Sequence, residues 1–176
     1  MLIPTILGVV LTMAPVGSAA LPALVATVVL DIVALGGVWL AMRPGRADIR
    51  EKSDLDRVIH RGRPVVVELY SNFCLICMAY RQTVRTAAMS LGASCTFARV
   101  ELPSRAGTEI GDGYGVRYTP SFLIFDEHGD LVRTIIPDNV TPLANGYRVL
   151  DDQRRVVTRL SRVTPEDLIA MVRASR

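Results

Sequence analysis

Between Met1 and Met42 the chain carries one charged side chain, Asp31, and no Lys, Arg or Glu. Beyond Met42 charge returns at once with Arg43, and the rest of the chain has the mixed composition of a water-soluble domain. This break divides the protein before any motif is considered. A charge-poor stretch of that length is suited to lipid, and the remainder of the 176 residues is enough for one ordinary domain. The division reads as a membrane anchor over 1–42, a linker over 43–52, and a folded domain over 53–176 that carries extra material at about 137–163.

Residues 21–42, LPALVATVVLDIVALGGVWLAM, are long enough to cross a bilayer as a helix. Trp39 lies near one end, where an indole suits the interface, and Arg43, Arg46, Arg50 and Lys52 follow. Residues 1–20 are also apolar but are broken by Pro4, Pro15 and Gly17. Three readings of them stand open. A cleaved signal peptide fits the small residues Gly17-Ser18-Ala19-Ala20 but lacks a basic start. One long tilted helix is opposed by Pro15 and Pro22. A helical hairpin, 2–17 then 21–42, turns on the Gly-Ser-Ala-Ala stretch and is the preferred reading, so the anchor has one or two spans. Asp31 is costly in hydrocarbon unless protonated, paired or facing protein. It is either a contact with a partner membrane subunit or a neutral acid near a headgroup or the hairpin interface. The cationic cluster after Met42 favours the cytoplasmic side for the domain.

Net charge is +3, carried almost wholly by Arg, since Lys52 is the only Lys. The Arg residues are not interleaved with aromatics, so nothing points to a nucleic-acid surface. The three cysteines, Cys74, Cys77 and Cys95, are too few for a disulfide-stapled scaffold. With no second C-x-x-C, and His128 the nearest downstream His, they do not make a four-ligand zinc site either. No metal or cofactor is expected. The count suits one reactive pair plus a buried or semi-buried bystander, Cys95.

In the domain, Ser53 is a candidate cap for a short helix striped by Leu55, Val58 and Ile59 and ended by Gly62-Arg63-Pro64. Val65 to Tyr70 reads as a buried strand, and Ser71-Asn72-Phe73 as a turn. A helix follows from about Cys74, with Cys77, Tyr80, Val84, Ala88 and Leu91 on its apolar face and Gly92 as its stop. Thr96 to Leu102 is a second strand, and the Gly-rich residues 103–117 hold at most one irregular helical turn. Ser121 to Phe125 and Leu131 to Ile136 are strands about a turn. Tyr147 to Leu150 and Val156 to Leu160 pair as a hairpin across Asp151-Asp152-Gln153. Thr164-Pro165-Glu166-Asp167 starts a last helix, packed through Leu168, Ile169 and Val172.

A strand, a tight turn and C-x-x-C opening a helix is a specific arrangement. A thiol at a helix N-terminus meets unpaired N–H groups and the positive end of the dipole, which favour thiolate. Two intervening residues allow the sulfurs to join. Cys74, at the exposed end, is the expected nucleophile, and Cys77, one turn in, the resolving thiol.

With these residues in place, the segment from about Ser53 to Ile136, together with the helix from Pro165, resembles the thioredoxin superfamily. The resemblance implies an α/β thioredoxin-like fold: a central mixed sheet of about four or five strands flanked by helices, here behind a transmembrane segment or helical hairpin. It implies that Glu68, six residues before Cys74, is the buried carboxylate that helps deprotonate the second cysteine. Arg99 falls where the family has a lysine beside that acid, as possible support. Thr119-Pro120 resembles the cis-proline loop that faces the cysteines, with Phe73 and Thr119 offered to a substrate chain. Two features depart from the family. Leu75-Ile76 replaces Gly-Pro between the cysteines, and residues 137–163 are extra.

The functional expectation is membrane-tethered thiol-disulfide exchange with protein thiols and a redox partner protein. Because no His lies between the cysteines, a reductant or exchange protein is favoured over a strong oxidant. Membrane-anchored relatives often work outside the cytoplasm, against the charge argument. The alternative is a non-catalytic thioredoxin-fold subunit of a membrane protein complex.

Overall fold

The computed structural model describes residues 20–42, 46–138 and 146–175. The competing readings of residues 1–19 lie outside the described residues, as does the 139–145 part of the extra segment. The chain divides into two units, Met1–Arg43 and Pro44–Arg176.

In the first unit, α1 runs Ala20–Met42, and its Leu21–Ala41 stretch is long and apolar enough to cross a bilayer. Leu30, Val33 and Leu35 stand exposed along it. The Thr27 hydroxyl donates to the Ala23 carbonyl at 2.9 Å, so this polar side chain is satisfied within the helix.

The second unit is one six-stranded sheet between two helical layers. Its elements are α2 (Lys52–Ile59), β1 (Val65–Tyr70), α3 (Leu75–Leu91), β2 (Thr96–Glu101), α4 (Arg105–Tyr114), β3 (Ser121–Phe125), β4 (Leu131–Pro137), β5 (Tyr147–Leu150), β6 (Val156–Leu160) and α5 (Pro165–Arg173). The strand order is β2-β1-β3-β4-β5-β6. β1 and β2 are parallel, joined through α3, and all other pairs are antiparallel. Six strands exceed the expected four or five because the hairpin β5–β6 extends the sheet beyond β4 rather than standing apart.

β1 is central and every one of its residues is buried, which is why it reads as an unbroken apolar run rather than an alternation. Its side chains still divide by parity. Val66 packs with Val84, Ala87 and Leu91 of α3, Leu168 and Val172 of α5, and Phe122 and Ile135 of the sheet. Val65, Val67 and Leu69 pack on the other face with Leu55, Ile59 and Ile110 of α2 and α4. On α3 the buried position is Ala87 rather than the expected Ala88.

Three local readings are corrected. The stretch before α2 is not all linker. Ile49 is fully buried and bridges Val100 in parallel, the Asp48 and Ile49 amides both donate to the Arg99 carbonyl, and Asp48 takes the Arg99 amide. The cap of α2 is Glu51, not Ser53, and the Asp54 carboxylate accepts the Arg50 and Glu51 amides at 2.9 and 3.0 Å. The Gly-rich segment 103–117 holds a full ten-residue helix, α4, capped by the Ser104 hydroxyl on the Gly107 amide at 3.0 Å. Two of its glycines are needed for contact, and a Cβ on Gly107 would lie 2.0 Å from the Glu101 carbonyl oxygen.

Candidate active site

The end of β1 delivers the site. After Tyr70 the chain turns tightly, with the Phe73 amide on the Ser71 hydroxyl at 3.2 Å and the Cys74 amide on the Ser71 carbonyl at 3.1 Å. Cys74 is then the N-cap of α3, its Sγ accepting the Cys77 amide at 3.1 Å. That is the role a Ser or Asp oxygen usually fills, taken here by sulfur. The Thr119 carbonyl lies 3.8 Å from the same Sγ, and the Thr119–Pro120 peptide bond is cis. Cys74 is partly exposed, Cys77 is fully buried, and both are free thiols.

This geometry separates the two sulfurs electrostatically. Cys74 is held down to about 6, first by the hydrogen bond from the Cys77 thiol, then, against partial burial, by Thr119 and the Cys77 and Ile76 amides. Cys77 is pushed far up, because it donates to Cys74 and because it is buried. At neutral pH the exposed sulfur is a thiolate and the inner one holds its proton.

Glu68 is 2 % exposed and shares the face of β1 that carries Val66, toward α3. Its register partner on β2 is Arg99, whose Nε donates to Glu68 Oε2 at 2.9 Å. Arg99 also lies over the Tyr70 ring, 4.3 Å from its centre. Burial pushes the Glu68 carboxyl above its ordinary value, while Arg99 pulls it down. Glu68 Oε1 has no hydrogen-bond partner among the described residues, which leaves one carboxylate oxygen open to a proton.

Cys74 opens onto a groove of about 570 Å3 lined by Phe73, Leu75, Ile76, Leu102, Tyr118 and Thr119, among others. Phe73 and Leu75 are 80 % and 76 % exposed, a large apolar surface beside a reactive sulfur. Cys74, Cys77, Glu68, Arg99, Phe73, Thr119 and Pro120, the candidates named from the sequence, lie around one sheet end. The groove's other wall, Leu102 and Tyr118, was not among them. Leu102 lies just before α4 and Tyr118 just after it, the helix the Gly-rich composition concealed. Cys95 is buried, its thiol on the Thr96 carbonyl at 3.6 Å.

A sheet with parallel β1 and β2, antiparallel β3 and β4, helices on both faces, a C-x-x-C opening the helix after β1 and a cis-proline before β3 is a thioredoxin-like fold. No established family profile matches the chain, and no curated protein matches it. Among solved structures it is similar to mitochondrial thioredoxin 3 of Saccharomyces cerevisiae (18% identity, TM-score 0.46, covering 55% of this chain and 87% of that one). It is similar also to the thioredoxin of Fasciola hepatica (25% identity, TM-score 0.44, covering 54% and 89%) and to that of Plasmodium falciparum (17% identity, TM-score 0.45, covering 55% and 90%).

Proposed function

We propose that the protein is a membrane-tethered thiol-disulfide exchange protein acting on protein disulfides, as a reductant or exchanger rather than a strong oxidant. The observation that carries the reading is the split between the two sulfurs. An accessible thiolate at a helix N-terminus sits beside a buried, protonated thiol that already hydrogen-bonds to it.

In the step proposed, the Cys74 thiolate attacks one sulfur of a client disulfide. A mixed disulfide forms, and the departing client thiolate takes a proton from solvent. Cys77 gives its proton to Glu68 and attacks Cys74 Sγ, releasing the second client thiolate. The client gains two electrons and the Cys74–Cys77 pair loses two, which a dithiol partner protein must return. Phe73 and Thr119 flank the attacked sulfur, Pro120 holds that loop in place, and Arg99 orients Glu68. The value of about 6 for Cys74 favours exchange, being nearer the thiolates of reducing thioredoxins at about 7 than those of strong periplasmic oxidants at about 3.5.

The test is reduction of insulin by the full-length chain in mild detergent with a dithiol donor. Turnover is expected for the wild type, none for Cys74→Ser, and about a hundredfold less for Glu68→Gln, the loss usual for a removed general base. Equal, negligible turnover in all three would favour a non-catalytic subunit of a membrane complex.

A further inference from the structure

The groove beside Cys74 presents side chains that neither the helix nor the sheet requires. α3 turns Cys77, Val84, Ala87 and Leu91 inward. Leu75 stands two residues before Cys77, about 200° around the helix, so it faces away from the core. That face ordinarily carries a polar residue, yet Leu75 is aliphatic and 76 % exposed. Tyr118, also in the groove lining, is 44 % exposed. Ile76 and Leu102 of the same lining are half-buried. Leu75 and Ile76 are the residues that stand between the cysteines in place of Gly-Pro, a pair that offers far less side chain.

The groove is held open by its own backbone and polar contacts. The Leu102 amide donates to the Tyr70 carbonyl at 2.8 Å, which fixes Leu102 at the end of β1. The Asn72 side-chain nitrogen donates to the Glu101 carboxylate at 2.9 Å, tying the turn before Cys74 to the end of β2. The Ser121 hydroxyl donates to the Tyr118 carbonyl at 2.7 Å. A preformed cleft costs little ordering when it is filled. Arg117 is exposed and, apart from the Cys74 thiolate, is the only ionic side chain in the lining.

We propose that this groove selects its client by side chain: a disulfide-bonded cysteine flanked by a bulky apolar residue, in a segment that also carries an acid beside that cysteine. The inference rests on the exchange reading above for its sulfur chemistry and adds the substrate class. With the client sulfur at Cys74, the apolar flank covers Leu75 and Tyr118 and takes their exposed surface out of water. The acid meets Arg117 instead of facing the thiolate alone. A segment with small polar flanks gains neither contact.

The test uses short peptides with one cysteine, activated as the mixed disulfide with thionitrobenzoate, and the full-length reduced chain in mild detergent. The Cys74 thiolate attacks the peptide sulfur, a Cys74–peptide disulfide forms, and thionitrobenzoate leaves as a coloured thiolate. The parent peptide carries Asp-Cys-Leu, the second Asp-Cys-Ser and the third Asn-Cys-Leu. The second is expected to react about tenfold more slowly than the parent, the scale of a lost apolar contact. The third is expected to react about threefold more slowly, the scale of a surface ion pair. With both Leu75→Ser and Tyr118→Ser in place, the first penalty disappears, whereas Leu75→Met keeps it. In Arg117→Gln the second penalty changes sign, because the peptide carboxylate then meets only the thiolate. Ratios between peptides cancel any change in the thiolate itself. Equal rates for the three peptides, or penalties as large in the variants as in the wild type, would overturn the proposal. Insulin turnover without discrimination keeps the exchange reading and removes this inference. Discrimination without insulin turnover keeps the groove's preference and removes the exchange reading.

Discussion

At Cys74 the chemistry is set by neighbours that are themselves backbone or thiol, so it should follow pH directly. Alkylation of the reduced protein by iodoacetamide is expected to rise with a midpoint at about 6, and Cys77→Ala, which removes the donor, to move that midpoint up, because the Cys77 thiol is the largest stabiliser. Stability follows with a definite sign. An acid whose pKa is lowered on folding stabilises the folded state above its ordinary value, and that contribution is lost as pH falls through the folded value. Urea titrations of the reduced wild type against Cys74→Ser should therefore show the wild type gaining as pH rises from about 6 toward 9.0. Cys77, pushed up, acts in the opposite sense and costs stability only above the ordinary thiol range. Loss of the wild type's gain over that window would remove the thiolate assignment.

Among the elements, α4 shows best what a sequence conceals. Ala106 and Ile110 carry its buried stripe and Ser104 its cap, signals readable in advance. Yet Gly107, Gly111 and Gly113 lower helix propensity by about 1 kcal/mol each and outweigh them. Two of these glycines serve packing that no periodicity reveals: at Gly107 the helix meets the backbone of Glu101 and Leu102, and at Gly111 the Val116 carbonyl. Gly107→Ala is thus expected to destabilise by about 1–3 kcal/mol, the cost of forcing atoms into a filled space, despite the better helix former. Equilibrium denaturation measures it, and an unchanged midpoint would refute the close approach. By contrast β1, α3 and the cap of α5 were legible because each rests on a local signal: an apolar run, a repeat of three and four, and Thr164 with Asp167. The docking of Ile49 on β2 was not, since one apolar residue among charges carries no period.

For the whole molecule, the site was more legible than the setting. The spacing of Glu68 to Cys74, the two-residue gap and Thr119-Pro120 were all readable because strand, turn and helix are contiguous there. Leu102 and Tyr118 were not, since each reaches the site through the fold rather than through the motif. The anchor reading makes its own prediction. The chain is expected to stay in the membrane pellet after carbonate extraction, and the cationic cluster after Met42 predicts that Cys74 in intact cells is protected from a membrane-impermeant thiol reagent. Labelling of Cys74 would reverse the side, and release by carbonate would remove the anchor.

The turn between β5 and β6 bears on how far change can spread in this domain. Arg154 adopts a left-handed backbone there, φ 62°, and its guanidinium lies so close to Gly115 that a Cβ on that glycine would stand 2.5 Å from it. Gly115 leads directly into Arg117, Tyr118 and Thr119, which line the cleft beside the sulfur. The outermost hairpin and the lip of the cleft are therefore braced against one another, so a shift of the hairpin turn is passed to the segment beside the sulfur.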